Sequence, residues 1–246
     1  MSLIIINYIK KILVNIFHDI NQYKYLWIFI YTYSLCILLA NFYDSRLIEV
    51  FGVTTTAGVL VYPISFSINL LIAEVYSFYY SKKTILIGFL TNIPVILYGA
   101  LVIIMPIPEK LQHDIEIVNN VFARSILIMV ASLTAYFVSE FTNSLIYTRL
   151  KDNFKSSFIT TRYYVSIFTA NIIDTIIFVI IAFGFYLDMK DIMKLIVVVA
   201  IIKFTIEGIL GIFFHKVSKK IKAIENIKEE DQLKNFSLLR KKYGKK

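Results

Sequence analysis

The sequence holds a single cysteine, Cys36, which excludes an internal disulfide. It lies in an apolar run and reads as a small apolar residue. Three histidines, His18, His113 and His215, stand far apart, in loops or at helix ends. They supply no metal-binding set and no His-Glu-x-x-His motif. Eight glycines form neither a Gly-rich phosphate cradle nor a Gly-x-x-x-x-Gly-Lys-Ser/Thr loop, so the chain is not expected to hydrolyse ATP itself. A Gly-x-Ser-x-Gly nucleophile elbow is missing as well. These absences point away from an enzyme and call for no cofactor. Strands of about ten alternating residues, the mark of a spanning barrel, are absent. So are short repeats and low-complexity linkers. In MSLIIINYIKKILVNIFHDINQYK the basic residues follow the short apolar run and no small-x-small site comes after it, unlike a secretory signal. Residues 1–23 read instead as an amphipathic segment on the inner membrane surface.

What the chain has in abundance is hydrophobicity. It is 58% apolar over 246 residues, with a mean hydropathy of +0.70. A membrane span needs about 20 apolar residues to cross a core of roughly 30 Å. Six such blocks lie near 24–43, 57–78, 84–105, 123–147, 162–186 and 193–214. The expected fold is an all-α integral membrane protein, a single bundle of six transmembrane helices over 24–214. The net charge of +9 is explained by position rather than by nucleic acid. Lys10, Lys11, Lys24, Lys82, Lys83, Arg149, Lys151, Lys155 and Arg162 fall on one set of connections, and the tail 215–246 adds eleven more cations. The other connections hold only Arg46, Lys110, Arg124, Lys190 and Lys194. Lys/Arg-rich loops stay in the cytoplasm, so both termini are expected inside. The basic tail is expected to serve topology and attraction to anionic lipid.

Polar residues interrupt the apolar blocks, and at membrane depth they usually face the bundle interior and carry function. Ser65, Asn69 and Glu74 fall in the second block, Glu140 and Asn143 in the fourth. Ser166, Asn171 and Asp174 fall in the fifth, Lys203 and Glu207 in the sixth. Glu140/Asn143 and Asn171/Asp174 are three apart and share helix faces. Lys203 and Glu207 are four apart and can pair along their helix. Asn69 and Glu74 point about 140° apart. By residue count, Asn69, Asp174 and Lys203 sit mid-span, where Asp174 and Lys203 are expected to pair. Glu74 sits near the inner interface and could pair with Lys82 or Lys83. Polar groups from four helices at similar depth suit a midplane pocket. Asn41 and Asn92 read equally as interhelical glue. Pro63 could kink the second helix beside the site or be a tolerated proline of an outer turn. Tyr62 and Phe66 could stack on a planar ligand.

The runs VLVYPISFSINLLIAEVY, ASLTAYFVSEFTNSLIYTRLK, VSIFTANIIDTIIFVIIAF and IIKF resemble, in order and spacing, the queuosine-precursor transporters, a branch of the vitamin uptake transporters. The likeness covers roughly residues 40–215. It implies six helices, a bacterial inner membrane, and import of 7-deazaguanine bases for salvage in tRNA modification. It assigns substrate-binding roles to Ser65, Glu74 and Tyr76 of the second helix. In the fifth it assigns them to Ser166, Asn171, Asp174 and Thr175, and in the sixth to Lys203. The chain departs from the family at Asn69 and Asn143, where aspartate is usual, and at Ser77, where glycine is usual.

The expected function is therefore a transporter whose partners are a 7-deazaguanine-type base and the lipid bilayer, not nucleic acid. A carboxylate accepts the adjacent N–H and NH2 of such a base, and an amide serves its carbonyl edge. The expected substrate-binding set is Ser65, Asn69, Glu74, Glu140, Asn143, Ser166, Asn171, Asp174 and Lys203. Two other readings stay open: a substrate-binding subunit docked on a separate ATP-driven module, and a structural membrane protein without substrate.

Overall fold

The computed structural model describes residues 23–44, 46–50, 53–106, 112–154, 158–185 and 187–227. The amphipathic segment expected at 1–23 therefore lies almost wholly outside the described residues, as does the tail beyond 227. Six helices are long and apolar enough to cross a membrane. Among the described residues these spans are carried by α1 (Leu26–Tyr43), α2 (Tyr62–Val75), which spans together with the 3-10 turn before it, α3 (Phe78–Ile103), α4 (Gln112–Phe154), which spans from Ser125, α5 (Ile159–Phe183) and α6 (Met189–Ile224). A 3-10 turn, Ala57–Leu60, leads into α2. The chain is a multi-pass helical membrane protein. Its outer surface shows why: Trp27, Leu97, Ile201 and Phe213 all point out of the bundle, which suits hydrocarbon and not water.

α2 is the central helix. Of its spanning stretch 72% is buried, against 17% for α3 and 22% for α6. It packs on α1, α3, α4 and α6, which explains why it is apolar on nearly every face. Phe66, Leu70 and Ile72 of α2 meet Tyr33 and Ile37 of α1, Tyr136 and Tyr147 of α4, and Tyr163 of α5 in the main core. A second cluster joins Ile128, Ala131 and Ala135 of α4 to Phe178, Val179 and Ala182 of α5 and Ile192 of α6. Its alanines let the backbones of α4 and α5 approach closely.

Several local features differ from the sequence expectation. Pro63 falls in the first turn of α2, where its missing N–H is not needed, so of the two readings the tolerated proline of an outer turn holds. Residues Leu47–Val50 (β1) and Val53–Thr56 (β2) form an antiparallel hairpin with Leu47 opposite Thr56. The β-branched run Val53–Thr56 favours this extended form. At Ser77, between α2 and α3, φ is 122° and ψ is 165°. Only glycine adopts that conformation readily. The chain breaks there and re-enters the bundle as α3. α4 and α6 run for 43 and 36 residues, well beyond the apolar blocks 123–147 and 193–214.

Candidate functional site

The polar residues of the spans meet inside the bundle, in layers. Nearest the hairpin, Asp174 of α5 faces Lys203 of α6. Lys203 Nζ donates to Asp174 Oδ2 at 2.5 Å. Asp174 Oδ1 accepts from Ser139 Oγ of α4 at 3.0 Å and from the Tyr62 hydroxyl of α2 at 3.4 Å. The Lys203 ammonium also sits 5.0 Å from the centre of the Tyr62 ring. Lys203 and Asp174 are 4% and 2% exposed, so neither charge has water to solvate it and each depends on the other.

Asn69 and Glu140 form the next layer. Asn69 Nδ2 donates to Glu140 Oε2 at 2.8 Å and to Ser144 Oγ at 2.9 Å. Ser81 Oγ donates to Asn69 Oδ1 at 2.9 Å and lies 2.7 Å from Ser144 Oγ. Each hydroxyl has one proton, so Ser144 donates to Ser81 and the ring Asn69–Ser144–Ser81 closes. The Tyr136 hydroxyl donates to the Ile85 carbonyl at 2.6 Å. Tyr33 then shares its proton between the Tyr136 oxygen at 2.8 Å and Glu140 Oε1 at 3.3 Å.

Below this, Asn171 Nδ2 donates to Glu207 Oε2 at 2.8 Å, and Thr175 Oγ1 donates to Asn171 Oδ1 at 3.1 Å. Glu207 Oε1 has no hydrogen-bond partner, although the residue is buried. Asn143 is also buried, and neither of its polar atoms has a partner in good hydrogen-bond geometry, although its amide acts on the neighbouring Glu140 carboxylate. Buried polar atoms are rarely left unmet because each costs about 1–3 kcal/mol. This layer therefore holds unused capacity for both donors and acceptors.

At the end opposite the hairpin, Glu74 carries a different arrangement. It pairs with Lys222 of α6 and with Lys151 of α4 at 3.0 Å, and lies 3.7 Å from the Arg162 guanidinium of α5. The Tyr147 hydroxyl donates to it at 2.9 Å. The expected pairing with Lys82 or Lys83 is therefore corrected: their ammonium groups lie over the rings of Phe78 and Tyr79. Beside this cluster, Glu225 accepts from the backbone N–H of Lys24 at 3.0 Å and of Tyr25 at 2.7 Å, where α1 begins. It also accepts from the Tyr76 hydroxyl at 2.9 Å. Burial and the Glu225 carboxylate push the Tyr76 phenol up.

At the hairpin end, a small cavity lies among Asp44, Thr56, Tyr62, Ser132, Asp174 and Lys203. Asp44 follows α1 directly and is buried. Burial pushes its carboxyl up to about 6, against the pull of the Thr56 hydroxyl, the Lys203 charge and the Gly58 N–H. Gly58 has to be glycine for this approach, since a Cβ there would collide with the Asp44 carboxylate and the Ala40 carbonyl.

Of the residues singled out from sequence, Asn69, Glu140, Asn143, Asn171, Asp174 and Lys203 converge on the middle layers. Ser65 is buried, but its hydroxyl is occupied by the Tyr62 carbonyl of its own helix. Ser166 is likewise turned back to the carbonyls of Arg162 and Tyr163. Glu74 stands apart in the ionic cluster. Lys203 pairs across to α5 rather than along α6 with Glu207, as the spacing allowed. Asn41 and Asn92 bond to each other at 2.9 Å, tying α1 to α3. Sequence reading placed Glu207 on the right face but outside the binding set, and missed Asp44, Ser81, Ser139 and Ser144. Buried hydroxyls within apolar runs were the only signal for the serines, and Asp44 reads as an ordinary loop residue.

Six spanning helices around a closed polar interior define a membrane transport protein. The chain belongs to the vitamin uptake transporter family: a family model described as "Putative vitamin uptake transporter" matches residues 56–217. Neither a curated protein nor a solved structure matches it.

Proposed function

We propose that this transporter imports queuosine precursors, 7-deazaguanine bases, across a bacterial inner membrane, with the hairpin end outside and both termini in the cytoplasm. The observation that carries the reading is the buried Glu207 oxygen without a hydrogen-bond partner, with the incompletely bonded Asn143 amide, in the polar layers beneath the Asp174–Lys203 pair. A deazaguanine offers adjacent N–H and NH2 donors and a carbonyl acceptor on one edge. Carboxylates take the donors, and an amide serves the carbonyl. Tyr62 and Phe66, with ring centroids 5.3 Å apart, offer flat aromatic surface next to Asp174 on which a planar ring could stack once they part. The ionic cluster around Glu74 closes the cytoplasmic end and has to part for the base to leave.

The test is uptake of a labelled base in a bacterium lacking both precursor synthesis and its own transporter, with tRNA queuosine as readout. Wild type should restore the modification. Asn143→Leu and Asp174→Asn should each lower uptake about tenfold or more per membrane-inserted protein, because a hydrogen bond to a charged or buried partner is worth roughly 1.5–3 kcal/mol. Near wild-type uptake by both variants would remove these residues from the site. Uptake by proteoliposomes holding this chain alone should succeed if no ATP-driven partner is required.

A further inference from the structure

The Asp174–Lys203 pair poses a problem for any substrate that uses Asp174. Once substrate donors take Asp174, the buried Lys203 ammonium loses its counter-charge. An uncompensated charge at that depth is costly. The same cavity holds a second carboxylate, Asp44. It comes from the end of α1, and the Lys203 charge acts on it directly. The cavity is no larger than about one water needs. That is room for an ammonium group to swing, and not for a ring to bind.

We infer that Asp44 is the alternative acceptor for Lys203: the lysine moves from Asp174 to Asp44 as substrate engages Asp174, and back when substrate leaves. This rests on the binding site proposed above and adds to it a positioning residue that controls when Asp174 is free. The hairpin, which returns through Thr56 and Gly58 to the Asp44 carboxylate, holds that carboxylate in place. The exchange conserves charge, since the cavity keeps one lysine and two carboxylates throughout, and no proton has to move.

The exchange has a pH signature. Asp44 receives Lys203 only when ionised, so uptake should rise with pH through about 6. The groups that bear on Asp44 are Thr56 of β2, the Gly58 N–H, Tyr62 of α2, Asp174 of α5 and Lys203 of α6. Uptake of labelled 7-deazaguanine is measured against pH for wild type, Asp44→Asn, Asp44→Glu and Thr56→Val, each normalised to inserted protein. Asp44→Asn should lose the step and fall about tenfold or more, the loss expected of a charged hydrogen-bond partner. Asp44→Glu should recover part of the rate and keep a step. Thr56→Val removes a donor that favours the ionised form, so its midpoint should move to higher pH. Wild-type rate and profile in Asp44→Asn would overturn the inference. Should that variant not insert, an unmoved midpoint in Thr56→Val would overturn it equally. Absence of uptake by wild type at every pH would instead overturn the substrate reading.

Discussion

The amide of Asn69 is fully engaged inside the protein. Both Nδ2 hydrogens are taken, by Glu140 and Ser144, and Oδ1 accepts from Ser81. The residue therefore acts by holding Glu140 and the serine ring, and it offers substrate little of its own. An aspartate in its place would set two carboxylates at hydrogen-bonding distance, and one of them would have to hold a proton. Asn69→Asp should thus lower uptake of a neutral base at neutral pH by about tenfold, a charged hydrogen bond being lost. Acidification should restore part of it, whereas Asn69→Leu should gain nothing. Uptake against pH decides this, and equal rates for wild type and Asn69→Asp at neutral pH would show that the Asn69–Glu140 contact is dispensable. Which polar residues lie in the membrane was legible from sequence, because an amide or carboxylate within an apolar run is conspicuous. Which partner each one takes was legible only in part. Asp174 and Lys203, mid-span on consecutive helices with opposite charge, were expected to pair and do, whereas Glu74 was given Lys82 or Lys83 and takes Lys151 and Lys222, which only packing brings to it.

At the scale of elements, the junction of α2 and α3 holds a strained backbone. Ser77 is buried and holds a conformation that favours glycine. A side chain in that region costs about 1–3 kcal/mol. Ser77→Gly should stabilise the protein by about that amount, read as a higher unfolding midpoint in detergent with uptake retained. A lower midpoint would mean that the serine side chain contributes more than the strain removes. The departure from the related transporters was visible in the sequence, but its physical meaning appears only with the dihedral angle. The spans were legible because apolar length is a property of composition. Helix ends were not: α4 and α6 continue as polar helix past their apolar blocks, where hydropathy no longer reports on them. The hairpin was missed because a four-residue strand leaves little periodicity to read, and the run Val53–Thr56 merges into the apolar stretch of α2.

The whole molecule is asymmetric from end to end. The hairpin end carries the small cavity and Asp44, and the opposite end carries Lys151, Arg162 and Lys222 around one carboxylate. Basic residues at the ends of spans orient them toward the cytoplasm. Reporters fused after Glu49 and Asp188 should therefore respond as external, and those after Phe154 and Ile227 as internal. An external response at Ile227 would overturn the orientation, and with it the direction of import.

The Glu225 contacts with the start of α1 bear on how the protein is made. α1 leaves the ribosome first of the six spans, yet the carboxylate that caps its N-terminus lies about 200 residues later, just past α6. Glu74 waits as well, for Lys151 at 77 residues and Lys222 at 148 residues further on. Until the last span emerges, the nascent chain holds a first helix without its Glu225 contacts and a Glu74 carboxylate that has met Lys151 and Arg162 but lacks Lys222. Biosynthesis therefore ends with the contacts that complete the end opposite the hairpin, and a chain stopped before α6 would lack both Lys222 and Glu225 there.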